Sequence, residues 1–249
     1  MAQNEPPVET HYVDELSATA EVAAAEPPPR EEIRTEATAF VWASMRRWPA
    51  LHRSFSLLFK SWLVDESRLI TRAVAELAIN AAWVVQGHAT KAGRYSTADE
   101  RAKALQEESK ALTLKWWNAM NAHSPERPFS EAMVRNWEEA LAGAKMPDGL
   151  PRLRARAEAI SGTTFPLQVY DFSYRADSEV THSNTWALIS GVQGKFHLTP
   201  SMAVVNAFSG ALLMISAGAD ALQSERLGEE ARKIREALFF RMRGARPPN

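Results

Sequence analysis

One segment, SRLITRAVAELAINAAWVVQG at residues 67–87, constrains the fold more than any other part of the chain. Wound as a helix, it carries Leu69, Ile70, Val74, Leu77, Ala81, Val84 and Val85 on one side and Ala75, Ala78, Ile79 and Ala82 on the other. A helix that is apolar all round belongs inside its fold, covered by neighbours. Yet Arg72, Glu76 and Asn80 recur at i, i+4 and i+8, one polar line on a buried rod. An Arg–Glu pair within a helix contributes only about 0.2–0.5 kcal/mol, and less in this order of charges. A buried charge without partners costs far more. The line therefore predicts a polar cluster around Glu76 completed by another helix; the plainer alternative is an edge position in water.

The neighbours also read as helices. Glycine is scarce, 11 residues in 249, and no stretch alternates apolar and polar residues between hairpin turns. The fold class is therefore all-α, a single multi-helix bundle. A first helix is expected from Glu36 to Trp48, where Pro49 ends it, and a second from Leu51 to Val64. The apolar helix follows and stops near Gly87. Thr97 stands three residues before Glu100, a capping-box spacing that opens a long fourth helix. A fifth is expected around residues 130–144, and a short sixth over residues 149–162 with Pro151 in its first turn. A seventh runs from Pro166 to His182, and a final one starts at Thr199 and Pro200 and reaches the basic tail. Within that last helix, residues 202–219 fall slightly short of a membrane span and are interrupted by Asn206, Ser209 and Ser216, so they read as a core helix. The pairs Trp116 with Trp117 and Trp42 with Trp48 read as core or interface rather than as stacking platforms for bases.

Composition removes several chemistries. Cysteine is absent, which excludes disulfides, thiolate metal sites and cysteine nucleophiles. The first 35 residues hold eight acids against Arg30 and Arg34, a charge of −6, leaving +5 on the remainder of a chain whose total is −1. With its prolines and low hydrophobicity, this stretch reads as a disordered acidic leader over 1–35, followed by the bundle over 36–243 and a flexible basic tail over 244–249. The start lacks a basic region followed by an apolar run, so no secretory signal is expected and the cytoplasm is the expected location.

The functional signal lies in YRADSEVTHSN, residues 174–184. On the seventh helix Val169, Phe172, Ala176 and Val180 form an apolar stripe, while Asp171, Arg175, Ser178 and His182 share the opposite sector, flanked by Tyr174 and Glu179. Alone this is an amphipathic helix with its polar face in water; the demand of Glu76 for partners favours a cluster. Arg175 and His182 lie two turns apart, a proton carrier beside a cation that can hold a developing phosphate charge. Glu179 and His182 have the spacing of a di-iron ligand pair, but no second copy exists, and Asp171, Ser178 and His182 lack the elbow that exposes a nucleophilic serine.

The Arg175–His182 spacing resembles the R-x(4–6)-H motif of HEPN-domain ribonucleases, although the polar residue that often follows the arginine there is Ala176 here. That resemblance implies an all-helical, usually dimeric protein that cleaves RNA without metal. The pair of motifs Arg72-x-x-x-Glu76 and Tyr174-x-x-x-Ser178-x-x-x-His182 is similar to a bacterial helical family, domain of unknown function 5677, over roughly Leu51 to Gln223. It implies a bundle in which Glu76 and His182 meet, and it carries no established activity. The expectation is a metal-independent HEPN-like ribonuclease or nucleic-acid-processing protein. Its reactive residues would be His182, Arg175 and Glu76, supported by Arg72, Tyr174, Ser178, Asn80 and Asp171. No cofactor or metal is called for; RNA and a second copy of the chain are the expected partners, and stable membrane insertion is not expected. The alternative is a non-catalytic ligand-binding or interaction module in which the same cluster fixes helix register.

Overall fold

The computed structural model describes residues 10–90, 93–123, 130–160, 162–175 and 200–242. Its elements are α1 (Thr10–Ala24), a 3-10 turn (Glu31–Ile33), α2 (Glu36–Lys60), α3 (Val64–Gln86), α4 (Ala98–His123), α5 (Glu131–Leu141), α6 (Leu153–Glu158) and α7 (Phe165–Gln168). A π-helix (Val169–Arg175) continues α7, and α8 (Pro200–Leu222) and α9 (Glu225–Met242) complete the order. The all-α expectation holds, with no strand among the described residues beyond a single bridge between Gly87 and Ile160.

As its composition requires, α3 is central, packed between α2 and α8 and touched by α4, α6 and the π-helix. Val74, Ala75, Ala78, Ile79, Ala81, Ala82, Trp83 and Val84 are all buried. Close approach of α8 depends on small residues. A side chain at Gly210 would press on Val74, and one at Gly218 would collide with Met45. Both α3 and the stretch Ser201–Leu222 are long and apolar enough to cross a membrane; 50% and 72% of their apolar windows are buried inside the protein. The C-terminal carbonyls of α3 are closed by Arg101, whose Nε and Nη2 both donate to the Val84 carbonyl at 3.1 and 3.0 Å.

The acidic leader expected over residues 1–35 needs correction from Thr10 onward, where the chain forms α1 and joins the core. Val13, Leu16, Ala20 and Ala23 make an apolar stripe that is buried against α2, α8 and α9. Beyond the helix Glu26, its side chain 10% exposed, pairs with Arg226 at 2.6 Å, and two outward-facing acids of α1 meet bases of α2: Asp14 with Lys60 at 2.5 Å and Glu21 with Arg53 at 3.4 Å. Segregated charge that reads as disorder in sequence is, in three dimensions, complementarity. Such surface pairs contribute at most about 1 kcal/mol each, so the apolar stripe holds the helix and the charges set its register. His52 adds a buried tie, its Nε2 donating to the Val13 carbonyl at 3.0 Å.

Three further boundaries differ from expectation. Pro49 does not end a helix but lies inside the continuous α2. Buried Met45 and Trp48 precede it, and His52, Phe55 and Phe59 follow it on the same packed face. Burial of two phenylalanines at about 2 kcal/mol each outweighs the roughly 3 kcal/mol cost of an internal proline. The last expected helix is two, broken where Gln223 takes φ 51° and Ser224 Oγ accepts from Leu227 N. Pro151 precedes α6, whose N-cap is Arg152, rather than lying in its first turn. The capping box at α4 forms as the spacing requires, Glu100 N donating to Thr97 Oγ1 and Thr97 N to Glu100 Oε2.

Candidate functional site

The polar line of α3 does reach other helices, and it does so unevenly. At its lower end Asn80 Oδ1 accepts from Arg156 Nη1 of α6 at 2.9 Å. Arg156 also donates from Nε to the Pro151 carbonyl at 2.7 Å and from Nη2 to both carboxylate oxygens of Glu108 on α4, at 2.9 and 2.8 Å. Its side chain is only 5% exposed, and its guanidinium lies over the Trp83 ring, 5.6 Å from the centroid. Every nitrogen of this arginine is satisfied. One buried cation thereby locks α3, α4 and α6 together.

At the other end stands Arg72. Its guanidinium lies 4.9 Å from the centroid of the Tyr174 ring, and Nη2 donates to the Tyr174 hydroxyl at 3.4 Å. Its Nε is buried with no hydrogen-bond partner among the described residues. A guanidinium so short of acceptors is an unusual arrangement.

Glu76 lies between the two. Its side chain is exposed by surface area, yet enough protein surrounds the carboxyl for desolvation to raise its pKa. Arg72 and then Arg156 oppose that rise through their charges, and Glu108 adds to it. Desolvation being the largest cause, the carboxyl holds its proton above the ordinary carboxylate range despite two nearby cations. Among the described residues Glu76 makes no direct ion pair with Arg72, so the intrahelical pair that the spacing suggested is a charge felt at a distance.

Tyr174 is delivered by the π-helix, and π-turns within α-helices recur at functional sites. The wider turn frees backbone groups, and one is met from α8: Asn206 Nδ2 donates to the Phe172 carbonyl at 3.1 Å. Tyr170 stacks on Tyr174 with ring centroids 5.4 Å apart, stiffening the segment.

Of the residues singled out in the sequence, Arg72, Glu76, Asn80 and Tyr174 fall along this seam. Asp171 is half-buried on the π-helix, where its charge acts on Arg154 of α6. Arg175 ends the π-helix and is exposed. Ser178 and His182 lie outside the described residues, as do the upper part of the expected seventh helix and the basic tail over 244–249. The tryptophans divide: Trp48 and Trp117 are buried, whereas Trp116 is exposed and lies 6.0 Å from Trp137 of α5.

Arg156 and Glu108 were missed by sequence reasoning, and a signal existed for both. Arg156 falls on the stripe Leu153, Arg156, Ala157, Ile160, and Glu108 on the stripe Arg101, Ala104, Leu105, Glu108, each at i, i+3, i+4, i+7. A charge on an apolar stripe asks for a buried partner of opposite sign.

Fold and seam together define an all-helical bundle protein with a charged seam across its central helix. A family model, described as a family of unknown function (DUF5677), matches residues 43–195, more than half of the 249-residue chain and the whole of both Arg72–Glu76 and Tyr174–His182. The chain belongs to that family. Neither the search of curated proteins nor that of solved structures found a match.

Proposed function

We propose that the protein is a metal-independent, HEPN-like endoribonuclease whose chemistry is centred on the Arg72–Glu76 end of the seam. The observation that carries the reading is an accessible carboxyl with raised proton affinity beside an incompletely satisfied guanidinium. Cleavage of this kind needs a base to take the proton of a ribose 2′-hydroxyl and an acid to protonate the 5′-oxygen that leaves. The 2′-oxygen bonds to phosphorus as the P–O5′ bond breaks, giving a 2′,3′-cyclic phosphate and a 5′-hydroxyl. His182 is assigned the base and Glu76 the acid, with Arg72 and Arg175 stabilising the charge that develops on the phosphoryl oxygens. Tyr174 positions Arg72 through the ring contact, and the π-helix sets Arg175 at its exposed end.

A second reading is favoured by one observation: the saturation of Arg156, which needs no substrate to explain it. On that reading the whole seam fixes helix register in a non-catalytic module. Incubation of the full chain with single-stranded RNA of mixed sequence in excess EDTA separates the two. The enzyme reading expects cyclic-phosphate products, with a loss of about 10²-fold or more in His182→Ala and in Glu76→Gln. Wild-type protein that leaves the RNA intact, or cleavage indifferent to both substitutions, overturns it.

A further inference from the structure

The π-helix that presents Tyr174 to Arg72 also borders a cavity of about 960 Å³ lined by α7, the π-helix, α8 and α9. We infer that this cavity binds a single-chain amphiphile with an anionic head, of the class of long-chain carboxylates.

Size and shape come first. The volume lies at the upper end of the roughly 300–1,000 Å³ typical of small-molecule sites. Its α8 wall runs from Ser201 to Ser216, sixteen residues of helix and so about 22 Å of length from first to last. A trough of that length suits a linear chain better than a compact ring system. Its wall is largely apolar, with Phe165, Val169, Val205, Leu213 and Leu238 among the residues facing it. Phe172 and Met202 also line it while 62% and 42% exposed, large apolar side chains left in water at its border.

The polar groups narrow the class. Arg235 of α9 lines the cavity, is exposed, and makes no ion pair among the described residues, whereas its neighbour Arg232 pairs with Glu236 at 3.4 Å. Among the described lining residues Arg235 is the one charged side chain, and none is acidic. Ser173 of the π-helix is fully buried, lines the same cavity, and its hydroxyl has no hydrogen-bond partner among the described residues. A buried hydroxyl without a partner is rare, and a head-group oxygen would supply one. The other hydroxyl near the middle of the trough, Ser209, is already used, donating to the Val205 carbonyl at 2.8 Å. Among the described lining residues, one cation without an ion pair, one unmet hydroxyl and a largely apolar wall match a carboxylate on a hydrocarbon chain.

This inference is independent of the ribonuclease reading, and its readout is binding alone. Palmitate titrated below its aggregation limit into the full chain, with displacement of a fluorescent polyene fatty acid as the signal, is expected to saturate at one molecule per chain. Methyl palmitate, which lacks the charge, is expected to bind at least about tenfold more weakly, by analogy with the loss of a single charge-assisted hydrogen bond. Arg235→Glu, at an exposed position, is expected to weaken palmitate about tenfold and leave the methyl ester unchanged. Ser209→Phe, which fills the middle of the trough, is expected to abolish both. Absence of saturable binding to the wild type, a stoichiometry well above one, or palmitate affinity unaltered in Arg235→Glu would overturn the inference.

Discussion

Two arginines bracket Glu76, and they are built to opposite specifications. Arg156 is buried with all three nitrogens bonded, to Asn80, Glu108 and the Pro151 carbonyl. Arg72 has one long hydrogen bond and a ring contact, and its Nε is unmet among the described residues. A fixed and fully satisfied ion earns its place by holding three helices in register. An unsatisfied one costs stability, and a fold tolerates that cost most readily where a ligand supplies the missing acceptor. The difference divides one continuous polar line into a satisfied end and an unsatisfied end, and the proposed chemistry is placed at the second.

The comparison breaks first at Arg156. Arg156→Met should leave the half-buried Glu108 without its cation and Asn80 without its donor, at a cost of about 3 kcal/mol, read as a fall in melting temperature of roughly 6–12 °C. A variant that melts with the wild type would remove the structural end from the account. Glu108→Gln keeps the shape but withdraws the counter-ion, with an expected loss of about 2 kcal/mol by denaturant titration. Arg72→Met should change stability by less than about 1 kcal/mol, because few bonds are lost and an unmet donor disappears with them. A loss equal to that of Arg156→Met would make the two ends alike.

The smallest effect is in pH dependence. Desolvation, ahead of the opposing charges of Arg72 and Arg156, raises the Glu76 pKa from its ordinary 4.5. Between that value and the raised one the folded protein binds more protons than the unfolded chain, so stability falls as pH rises through the window. Glu76→Gln should remove this decline, visible as a flatter dependence of the melting temperature on pH just above 4.5. An unchanged slope would place Glu76 in ordinary solvent.

Much of this was legible in the chain. The all-round apolar α3 announced its central place, and the need of Arg72, Glu76 and Asn80 for partners announced the seam. The identity of the partners was not legible, because Arg156 and Glu108 sit on separate short stripes and only tertiary packing sets them against Asn80. The ordering of α1 was hidden for a related reason. Its short apolar stripe lies in a 35-residue stretch of net charge −6, and the bases that meet that stretch's acids, Arg53, Lys60 and Arg226, are up to two hundred residues away. Pro49 misled because local backbone preference was weighed without the burial of Phe55 and Phe59. The π-helix had no sequence signal that we identify; the cavity it borders became visible only once Ser173 and Arg235 were placed on walls of one space.

The division of the seam is tested most directly by measuring, on the same Arg72→Met protein, the melting temperature and the rate of RNA cleavage in EDTA. The expected result is a melting temperature within about 3 °C of wild type together with loss of cleavage by about 10²-fold. Cleavage at the wild-type rate, or a stability loss matching that of Arg156→Met, would contradict it.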